Sequence, residues 1–510
     1  MQNKFDFDEG IIKLFYTHKE NFNEVENETQ TRNVKELCDK AVEFYDNEEF
    51  EKAAECWMTA ARLGDDHAEY CLAICFSKGL GVEANNAEAF KFFLSAAEKG
   101  NECAQYGLAL CYEYGEGVKT DFGEAFEWCL KSAEQNYVYA QYRAGLYYSH
   151  CNELPFSKSK ALYWFTQAQK QNYVPAKHML GECYFNDEKF DAALELFESA
   201  AADGYAPSVY RLGYCYENGF GVQKDISQAI EYYRKSADDG YAPAAYVLAE
   251  FYDGGEKIER DYDEAVRLYR EAAEAGYPAA QNAYGWCFVV GKTVKKDLYE
   301  AVRWFQRAAK QGNMRAQYNL AICYEEGKGI VQNLEKAFYW HLQAAEQGDD
   351  RAQLRVGWCY QVGNGVKVDG AEAFKWLNKS AAQNNAQAQS DLGYCYFNGI
   401  GTKRNTAEGF KYYLKAAEQN NVNALYNVGC CYRHGDGVKK DAEKAVQWYE
   451  KASALGSVDS QISLGYMYER GCGVKKDLKR AAEWYKKALE NGEEAAAYML
   501  SKKKFAKIVL

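Results

Sequence analysis

Apolar residues recur at helical spacings in short segments along the whole chain. In one segment they stand at Ala316, Leu320, Cys323 and Tyr324. Spacings of three and four residues place them on one stripe of an α-helix. A second apolar segment follows at residues 337–345, after a glycine-containing turn. The pattern therefore predicts a hairpin of two short amphipathic helices, which we call helix A and helix B.

The hairpin pattern returns every 36 residues, with one shorter step of 32 residues between Ala176 and Ser208. The residue that opens each copy is small, and we count helix A positions from it as position 0: Ala68, Ala104, Ala140, Ala176, Ser208, Ala244, Ala280, Ala316, Ala352, Ala388, Ala424, Ser460 and Ala496. A period between 20 and 50 residues is typical of a stacked repeat array. The sequence predicts an all-α fold with about thirteen helix pairs and a terminal capping helix.

Glycine, asparagine and aspartate mark the predicted helix ends. Gly327 ends helix A of the copy described above, and Gly348 ends its helix B, because glycine accepts a left-handed backbone. Asn333 precedes helix B, and Asp or Asn recurs at this place in most copies. In six copies a Glu follows three residues later, which is the spacing of a reciprocal capping box. We interpret these residues as structural caps.

Three segments depart from the repeat, which otherwise extends over residues 34–493. Residues 1–33 show no repeat pattern; they form either an N-terminal cap or an autoinhibitory segment that occupies the groove. Residues 149–189 are irregular, since one loop is replaced and the next copy is four residues short. We expect a change of superhelical curvature there. Residues 494–510 are predicted to form the capping helix, with a polar face at Lys502, Lys503 and Lys504.

Charge and hydropathy exclude several classes of protein. The net charge is −13, with 74 acidic and 61 basic residues. Nucleic acid is therefore not an expected partner, because phosphate binding needs clustered Lys and Arg. No apolar run approaches the ~20 residues of a membrane span, and the first residues lack a secretory signal pattern. We expect a cytoplasmic protein, most simply a monomer.

The 17 cysteines do not suggest disulfides or metal sites. Nine of them occupy position 7 of helix A: Cys75, Cys111, Cys183, Cys215, Cys287, Cys323, Cys359, Cys395 and Cys431. Equivalent positions in neighbouring helices should lie about 8–10 Å apart, whereas a disulfide needs Cα atoms within about 7 Å. Zinc-ligand spacing is missing as well. We interpret these cysteines as small buried hydrophobic residues.

The repeat resembles the Sel1-like repeat, a relative of the tetratricopeptide repeat. The resemblance is carried by stretches such as Leu212-Gly213-Tyr214-Cys215-Tyr216 with the Gly-x-Gly-Val loop that follows, and it covers roughly residues 34–500. It implies a right-handed α–α superhelix and a role as an adaptor that assembles other proteins. Some secreted relatives carry one disulfide in each repeat; this chain has alanine at the corresponding helix B ends, which favours a reducing compartment.

Positions 2, 6 and 9 of helix A lie opposite the apolar stripe on a helical wheel. In the related tetratricopeptide arrays this side lines a concave groove, and the resemblance implies the same here. We therefore expect the groove to bind a protein or peptide, with basic residues facing the acids. The candidate binding residues are Trp286, Trp358, Tyr214, Tyr394, Tyr466, Tyr318, Glu217, Asp253 and Glu325.

No catalytic pattern accompanies the repeats. The six histidines occupy unrelated repeat positions, and neither a zinc-protease motif nor a phosphate-binding loop occurs. We expect no catalytic residues, no metal and no cofactor. Two alternatives stay open: an enzyme or small-ligand binder that uses the groove, and a structural array that associates with itself.

Overall fold

The computed structural model describes residues 28–150, 156–291, 293–502 and 505, and its regular elements in these ranges are α-helices. The chain divides into two compact units, residues 1–248 (unit 1) and 249–510 (unit 2). The predicted all-α repeat fold is therefore confirmed for the described residues. Almost every helix has 13 residues, as in helix Met314–Glu326.

The described helices form thirteen A/B pairs followed by one closing helix. Unit 1 contains α1 Glu28–Asp46, α2 Phe50–Arg62, α3 Asp66–Lys78, α4 Asn86–Glu98, α5 Glu102–Tyr114, α6 Phe122–Glu134, α7 Val138–His150, α8 Lys158–Lys170, α9 Val174–Asn186, α10 Phe190–Ala202, α11 Ala206–Asn218 and α12 Ile226–Asp238. The unit boundary falls within α13, Ala242–Gly254. Odd-numbered helices are helix A of each pair, and even-numbered helices are helix B.

Unit 2 continues with the same alternation. Its helices are α14 Tyr262–Glu274, α15 Pro278–Val290, α16 Leu298–Lys310, α17 Met314–Glu326, α18 Leu334–Glu346, α19 Asp350–Val362, α20 Gly370–Ala382, α21 Ala386–Asn398, α22 Thr406–Glu418, α23 Val422–His434, α24 Ala442–Ala454, α25 Val458–Arg470, α26 Leu478–Glu490 and α27 Ala495–Leu500. Consecutive helices pack against each other within each unit. Each pair therefore buries its apolar stripe against its neighbours.

The predicted caps form at both ends of the helices. Gly327 closes α17 at φ +69°, and Gly348 follows α18 at φ +105°. The side chain of Asp121 accepts from the amides of Gly123 and Glu124 at 3.0 and 3.1 Å, which caps α6. The amide of Asp121 donates to the carbonyl of Tyr112 at 2.9 Å. That amide therefore bonds to helix A, whereas a reciprocal capping box would give it to the Glu side chain.

A helix B ring packs directly on a helix A glycine in most pairs. A methyl group placed on Gly465 would lie 2.5 Å from Cε1 of Tyr485, and one placed on Gly213 would lie 2.8 Å from Cδ1 of Tyr233. Both tyrosines are fully buried. At these two contacts a larger residue would displace the ring, whereas other copies carry alanine at position 5, as at Ala73, Ala249 and Ala321.

Buried glutamines link successive pairs. Gln353, at position 1 of α19, is 5% exposed. Its Nε2 donates to the carbonyl of Ala345 at the end of α18 (3.1 Å), and its Oε1 accepts from Gln383 at the end of α20 (2.9 Å). The same pair of bonds is formed by Gln105, Gln141, Gln281, Gln317 and Gln389. Each glutamine thus adds a bond to an end carbonyl of one helix B, which also accepts from a backbone amide of the following turn, and connects it to the next helix B.

The second glycine of each Gly-x-Gly loop has a packing role. A methyl group on Gly329 would lie 2.1 Å from the carbonyl oxygen of Leu298, the first residue of α16 in the preceding pair. Gly117, Gly365 and Gly437 make the same approach to the preceding helix B. The loops therefore stack from pair to pair, and this close contact accounts for the repeated motif.

The irregular and terminal segments are only partly described. Residues 1–27 and 151–155, Lys503 and Lys504 lie outside the described residues, so the predictions for the N-terminal segment, the replaced loop and these lysines stay predictions. The shortened copy turns between α9 and α10 with Glu188 at φ 58°, and α1 and α2 are joined by the same short turn with Glu48 at φ 60°. Near the C-terminus, Phe505 is buried with its ring 5.8 Å from that of Tyr485.

Replacing Gly465 with alanine should destabilise unit 2. The added methyl group collides with the Tyr485 ring, and such overpacking costs about 1–3 kcal/mol. Gly254→Ala is the matched control, because this helical glycine has no atom within 4 Å of the added group. Thermal unfolding followed by circular dichroism should show a lower Tm for Gly465→Ala alone. Equal Tm values for the two variants would contradict the ring-on-glycine contact.

Replacing Gln353 with leucine should cost about 1–3 kcal/mol, because the buried amide loses two hydrogen bonds, one to the Ala345 carbonyl and one from Gln383. Gln332→Ala is the control; residue 332 is exposed, so water can replace its bond to the Glu325 carbonyl. Chemical denaturation of both variants measures the difference. If the control loses as much stability as Gln353→Leu, the buried amide is not what links the pairs.

Candidate partner-binding surface

An apolar row crosses helix A of six consecutive pairs in unit 2. Its members all stand at position 6 of their helices, and we call them the unit 2 stripe: Trp286, Ile322, Trp358, Tyr394, Cys430 and Tyr466. Trp286 is 52% exposed, Tyr394 is 53% exposed and Tyr466 is 36% exposed, while the other three are half-buried. Position 6 is therefore open to solvent where positions 0, 4 and 7 are buried.

Direct contacts between neighbouring A helices place the stripe residues side by side. Each junction from α15 to α25 has such a contact, made by side chains at different positions of the two copies: Asn282 with Asn319 (2.9 Å), Glu325 with Arg355 (3.6 Å), Gln361 with Cys395 (3.1 Å), Gln387 with Asn421 (3.0 Å) and the guanidinium of Arg433 with the Tyr466 ring (4.5 Å). Helices packed this closely lie about 8–10 Å apart. The stripe therefore extends over about 40–50 Å of one surface.

The stripe widens at two places. Val290 follows Trp286 by four residues, and Val362 follows Trp358 by four residues, so each valine lies on the same face one turn later. Both valines are 53% exposed. Exposed apolar side chains gathered in one row are typical of a binding surface.

A half-buried carboxyl group lies beside the stripe. Asp391 precedes Tyr394 by three residues on α21 and accepts from Nε2 of Gln387 at 2.8 Å. Burial raises the pKa of Asp391 to about 6, and the Gln387 bond opposes part of this shift. Sequence reasoning missed this residue, because position 3 carries no common residue type from copy to copy.

Two of the three predicted acidic contacts bond to helix B of their own pair. Glu217 accepts from the Tyr233 hydroxyl at 2.6 Å, and Glu325 contacts Nε2 of His341 at 3.2 Å. The His341 bond lowers the pKa of Glu325, and Arg355 acts in the same direction. Asp253 is exposed. In both pairs the glutamate precedes its ring partner by 16 residues, and this shared spacing could have predicted the contact from the sequence.

The tyrosines at position 2 pack against helix B. The Tyr318 ring lies 5.5 Å from His341 in an edge-on arrangement, and the Arg351 guanidinium lies 4.4 Å from the same ring. Tyr210 and Tyr426 contact Tyr233 and Tyr449 in the same register. Tyr318 is consequently half-buried.

The structure brings part of the predicted set together. Trp286, Trp358, Tyr394 and Tyr466 belong to the unit 2 stripe, and Tyr318, Glu325 and Asp253 lie elsewhere in unit 2. Tyr214 and Glu217 belong to unit 1, where the half-buried Tyr214 ring lies 5.9 Å from Phe220. The stripe also contains Ile322 and Cys430, which sequence reasoning did not select.

In the described part of the chain, no group of three or more Asp, Glu, His and Cys side chains has an arrangement that could hold a metal ion. No disulfide joins two cysteines of this part. Burial lowers the pKa of His178 to about 4, which keeps this imidazole neutral at pH 7. Within these residues, no helix combines the length and hydropathy that a bilayer crossing requires.

Comparison with protein families matches the chain to the Sel1 repeat. It matches twelve times, at residues 66–101, 104–137, 138–173, 174–205, 206–241, 242–277, 278–313, 315–349, 350–385, 386–421, 422–457 and 458–493. These segments correspond to successive helix pairs from α3 to α26. Comparison with curated proteins gives no match.

Two solved structures are similar over much of the chain. One is c5321, described as a protective antigen of uropathogenic Escherichia coli with an SLR fold; it is 29% identical, with a TM-score of 0.54 over 88% of this chain and 97% of that one. The other is a Sel1 repeat protein from Oxalobacter formigenes. It is 30% identical, with a TM-score of 0.45 over 60% of this chain and 88% of that one.

Replacing Asp391 with asparagine should stabilise the protein at pH 7.5. The folded pKa lies above the usual aspartate value, so the native state binds more protons than the unfolded chain between about pH 4 and 6. Stability therefore rises as the pH falls through 6. The advantage of Asp391→Asn should shrink as the pH falls from 6 to 4 and vanish below about pH 3, where Asp391 is protonated in both states. Tm values at several pH values test this, with the exposed Asp436→Asn as the control; a pH-independent difference would contradict it.

Proposed function

The chain belongs to the Sel1 repeat family, and we propose that it is a non-enzymatic adaptor that binds a partner protein through the unit 2 stripe. Members of this family generally act as protein-interaction scaffolds. The observation that carries the proposal is the exposure of Trp286 and Tyr394, which stand at a position where neighbouring positions of helix A are buried. Large aromatic residues at the centre of an exposed surface are typical binding hot spots.

The stripe also indicates the kind of partner segment. Its row of similar side chains suits an extended or helical peptide with repeated apolar residues. The Asp391 carboxyl group beside Tyr394 suits one basic side chain of the partner. Pairing with this cation would offset the free-energy cost of burying the Asp391 carboxylate. Arg355 and Arg433 border the stripe and suit acidic or carbonyl groups of the same segment. We therefore propose a mixed apolar and charged peptide.

Further features support a cytoplasmic adaptor. No disulfide joins two of the described cysteines, and disulfides are rare in reducing compartments. The proposal includes no metal, cofactor or nucleic acid, since the net charge of −13 opposes phosphate binding.

Replacing Trp286 and Trp358 together with alanine should weaken capture of a specific partner at least tenfold with little change in Tm. These stripe residues are exposed or half-buried, so their removal leaves the core intact. Trp304→Ala provides the opposite result: this residue is 9% exposed, and its truncation should cost about 3–5 kcal/mol. Affinity capture with the unchanged chain identifies the partner. Quantitative pull-down then measures the loss of binding, and scanning calorimetry of each variant measures its stability.

Tyr339→Ala is the matched control for binding, because Tyr339 is 51% exposed on a helix B and lies outside the stripe. It should retain full capture. Light scattering should show the same mass for the unchanged chain and the double variant. Capture that survives the double substitution, or a loss of Tm comparable to that of Trp304→Ala, would refute binding through the stripe. A change of mass would indicate self-association instead.

A further inference from the structure

Positive charge is concentrated in unit 2, although the whole chain is acidic. Unit 1 contains 41 acidic and 23 basic residues, whereas unit 2 contains 33 acidic and 38 basic residues. The net charge of −13 therefore arises in unit 1 and conceals a basic unit 2. A local surplus of one sign attracts ligands of the opposite sign, even when the chain as a whole repels them.

Basic residues fill the same two places in the last three loops between helix A and helix B. These places immediately precede the residue that caps helix B, such as Asp441 of α24. We call their six exposed residues the basic row: Lys403, Arg404, Lys439, Lys440, Lys475 and Lys476. In unit 1 the equivalent places hold pairs such as Glu83 with Ala84. The three loops of the row contain one acidic residue, Asp436.

The three loops stack directly on one another. A methyl group on Gly437 would lie 2.1 Å from the carbonyl oxygen of Thr406, and Gly473 makes the same approach to the first residue of α24. Thr406 follows Arg404 by two residues, and Lys439 follows Gly437 by two residues. The basic pair of each loop therefore lies beside that of the preceding loop, at about the 8–10 Å spacing of neighbouring helices.

The lysines of the basic row are not neutralised by the described part of the chain. The ion pairs of the same copies are made by neighbouring residues: Lys411 with Glu408 (2.6 Å), Lys444 with Asp441 (3.6 Å) and Arg480 with Asp477 (4.0 Å). Within the described residues, no ion pair involves a lysine of the row. Like charges held side by side repel each other, and a bound anionic ligand relieves this repulsion.

We propose that the basic row binds an extended acidic segment of a partner protein. An extended chain rises by about 3.3 Å per residue, so three residues span about the distance between two stacked loops. Acidic side chains at every third residue would therefore meet successive basic pairs. The row adds a charged binding surface to unit 2, separate from the unit 2 stripe.

Other polyanions fit the row less well. Duplex DNA carries one charge per ~1.7 Å of its axis, so most of its phosphates would find no cation here and would meet the net negative charge of the chain. Attachment to a bilayer commonly combines basic residues with large exposed apolar side chains. The apolar residues of these loops, Ile400, Val438 and Val474, are half-buried.

Two peptides of the same composition test the spacing. The probe is a fluorescent peptide with glutamate at every third residue and serine elsewhere, and its control has the same glutamates in one consecutive run. Fluorescence anisotropy with the full chain at low ionic strength, where exposed charges are little screened, should show tighter binding of the spaced peptide. Equal affinities for the two peptides would overturn the inference.

Replacing four lysines of the row with serine should weaken binding of the spaced peptide by about tenfold, the loss expected for four exposed ion pairs. The variant carries Lys439→Ser, Lys440→Ser, Lys475→Ser and Lys476→Ser. These side chains are exposed, so the Tm should not fall. Unchanged affinity in this variant would also overturn the inference.

The matched control replaces four exposed lysines that stand at the same loop places in copies without stacked basic pairs: Lys119, Lys224, Lys295 and Lys296. Their replacement with serine removes the same net charge and should leave the affinity unchanged. An equal loss in both variants would show that only total charge matters, and the row would then not be a binding surface.

Binding at the basic row is independent of binding at the unit 2 stripe. The double variant Trp286→Ala and Trp358→Ala should therefore bind the spaced peptide as tightly as the unchanged chain; a loss of binding would place the peptide on the stripe and overturn the inference. A short duplex DNA and vesicles containing phosphatidylserine are compared under the same conditions. If either binds more tightly than the peptide and loses this binding in the variant of the row, an acidic protein segment is not the ligand.

Discussion

The contact between a helix B ring and a helix A glycine determines the rest of the architecture. In the last full pair, Tyr485 lies on Gly465 so closely that no side chain fits between them. This contact fixes both the spacing of the two helices and the rotation of helix A about its axis. Position 5 must face helix B, and position 6, which lies about 100° further round, is then directed away from it. The unit 2 stripe is a consequence of this rotation.

Polar satisfaction fixes the register between successive pairs. The end of each helix B leaves carbonyl groups without an intrahelical partner, and burial would make them costly. At Ala345 the carbonyl accepts from the Gly348 amide and from Gln353, and Gln383 in turn bonds to Gln353. A sliding pair would break both bonds at once. The register between successive helix pairs is therefore fixed by polar side chains, although a hydropathy profile would assign these side chains to the surface.

Helix ends and core residues could be predicted from the sequence, because caps and apolar spacings are local. Gly327, Asp121 and Trp304 take the expected places. The helical wheel treats each helix as isolated, so it could not show that helix B reaches round to positions 2 and 9. Tyr318 and Glu325 therefore contact His341, although the wheel places them opposite the core. Gln353 escaped notice for the same reason, whereas Asp391 did so because position 3 carries no common residue type from copy to copy.

The residue type at position 6 of helix A differs between α3 and α5 and the helices from α15 to α25, and the difference matches the exposure of the side chains. In α3 and α5 this position carries Ile74 and Leu110, which have no polar group and are buried. From α15 to α25 it carries mainly Trp and Tyr, whose rings combine a large apolar surface with a polar edge. An aliphatic side chain suits a surface that stays covered, because its exposure to water is unfavourable in free energy. An amphipathic aromatic ring tolerates water and still binds strongly when covered, so it suits a surface that alternates between free and occupied states.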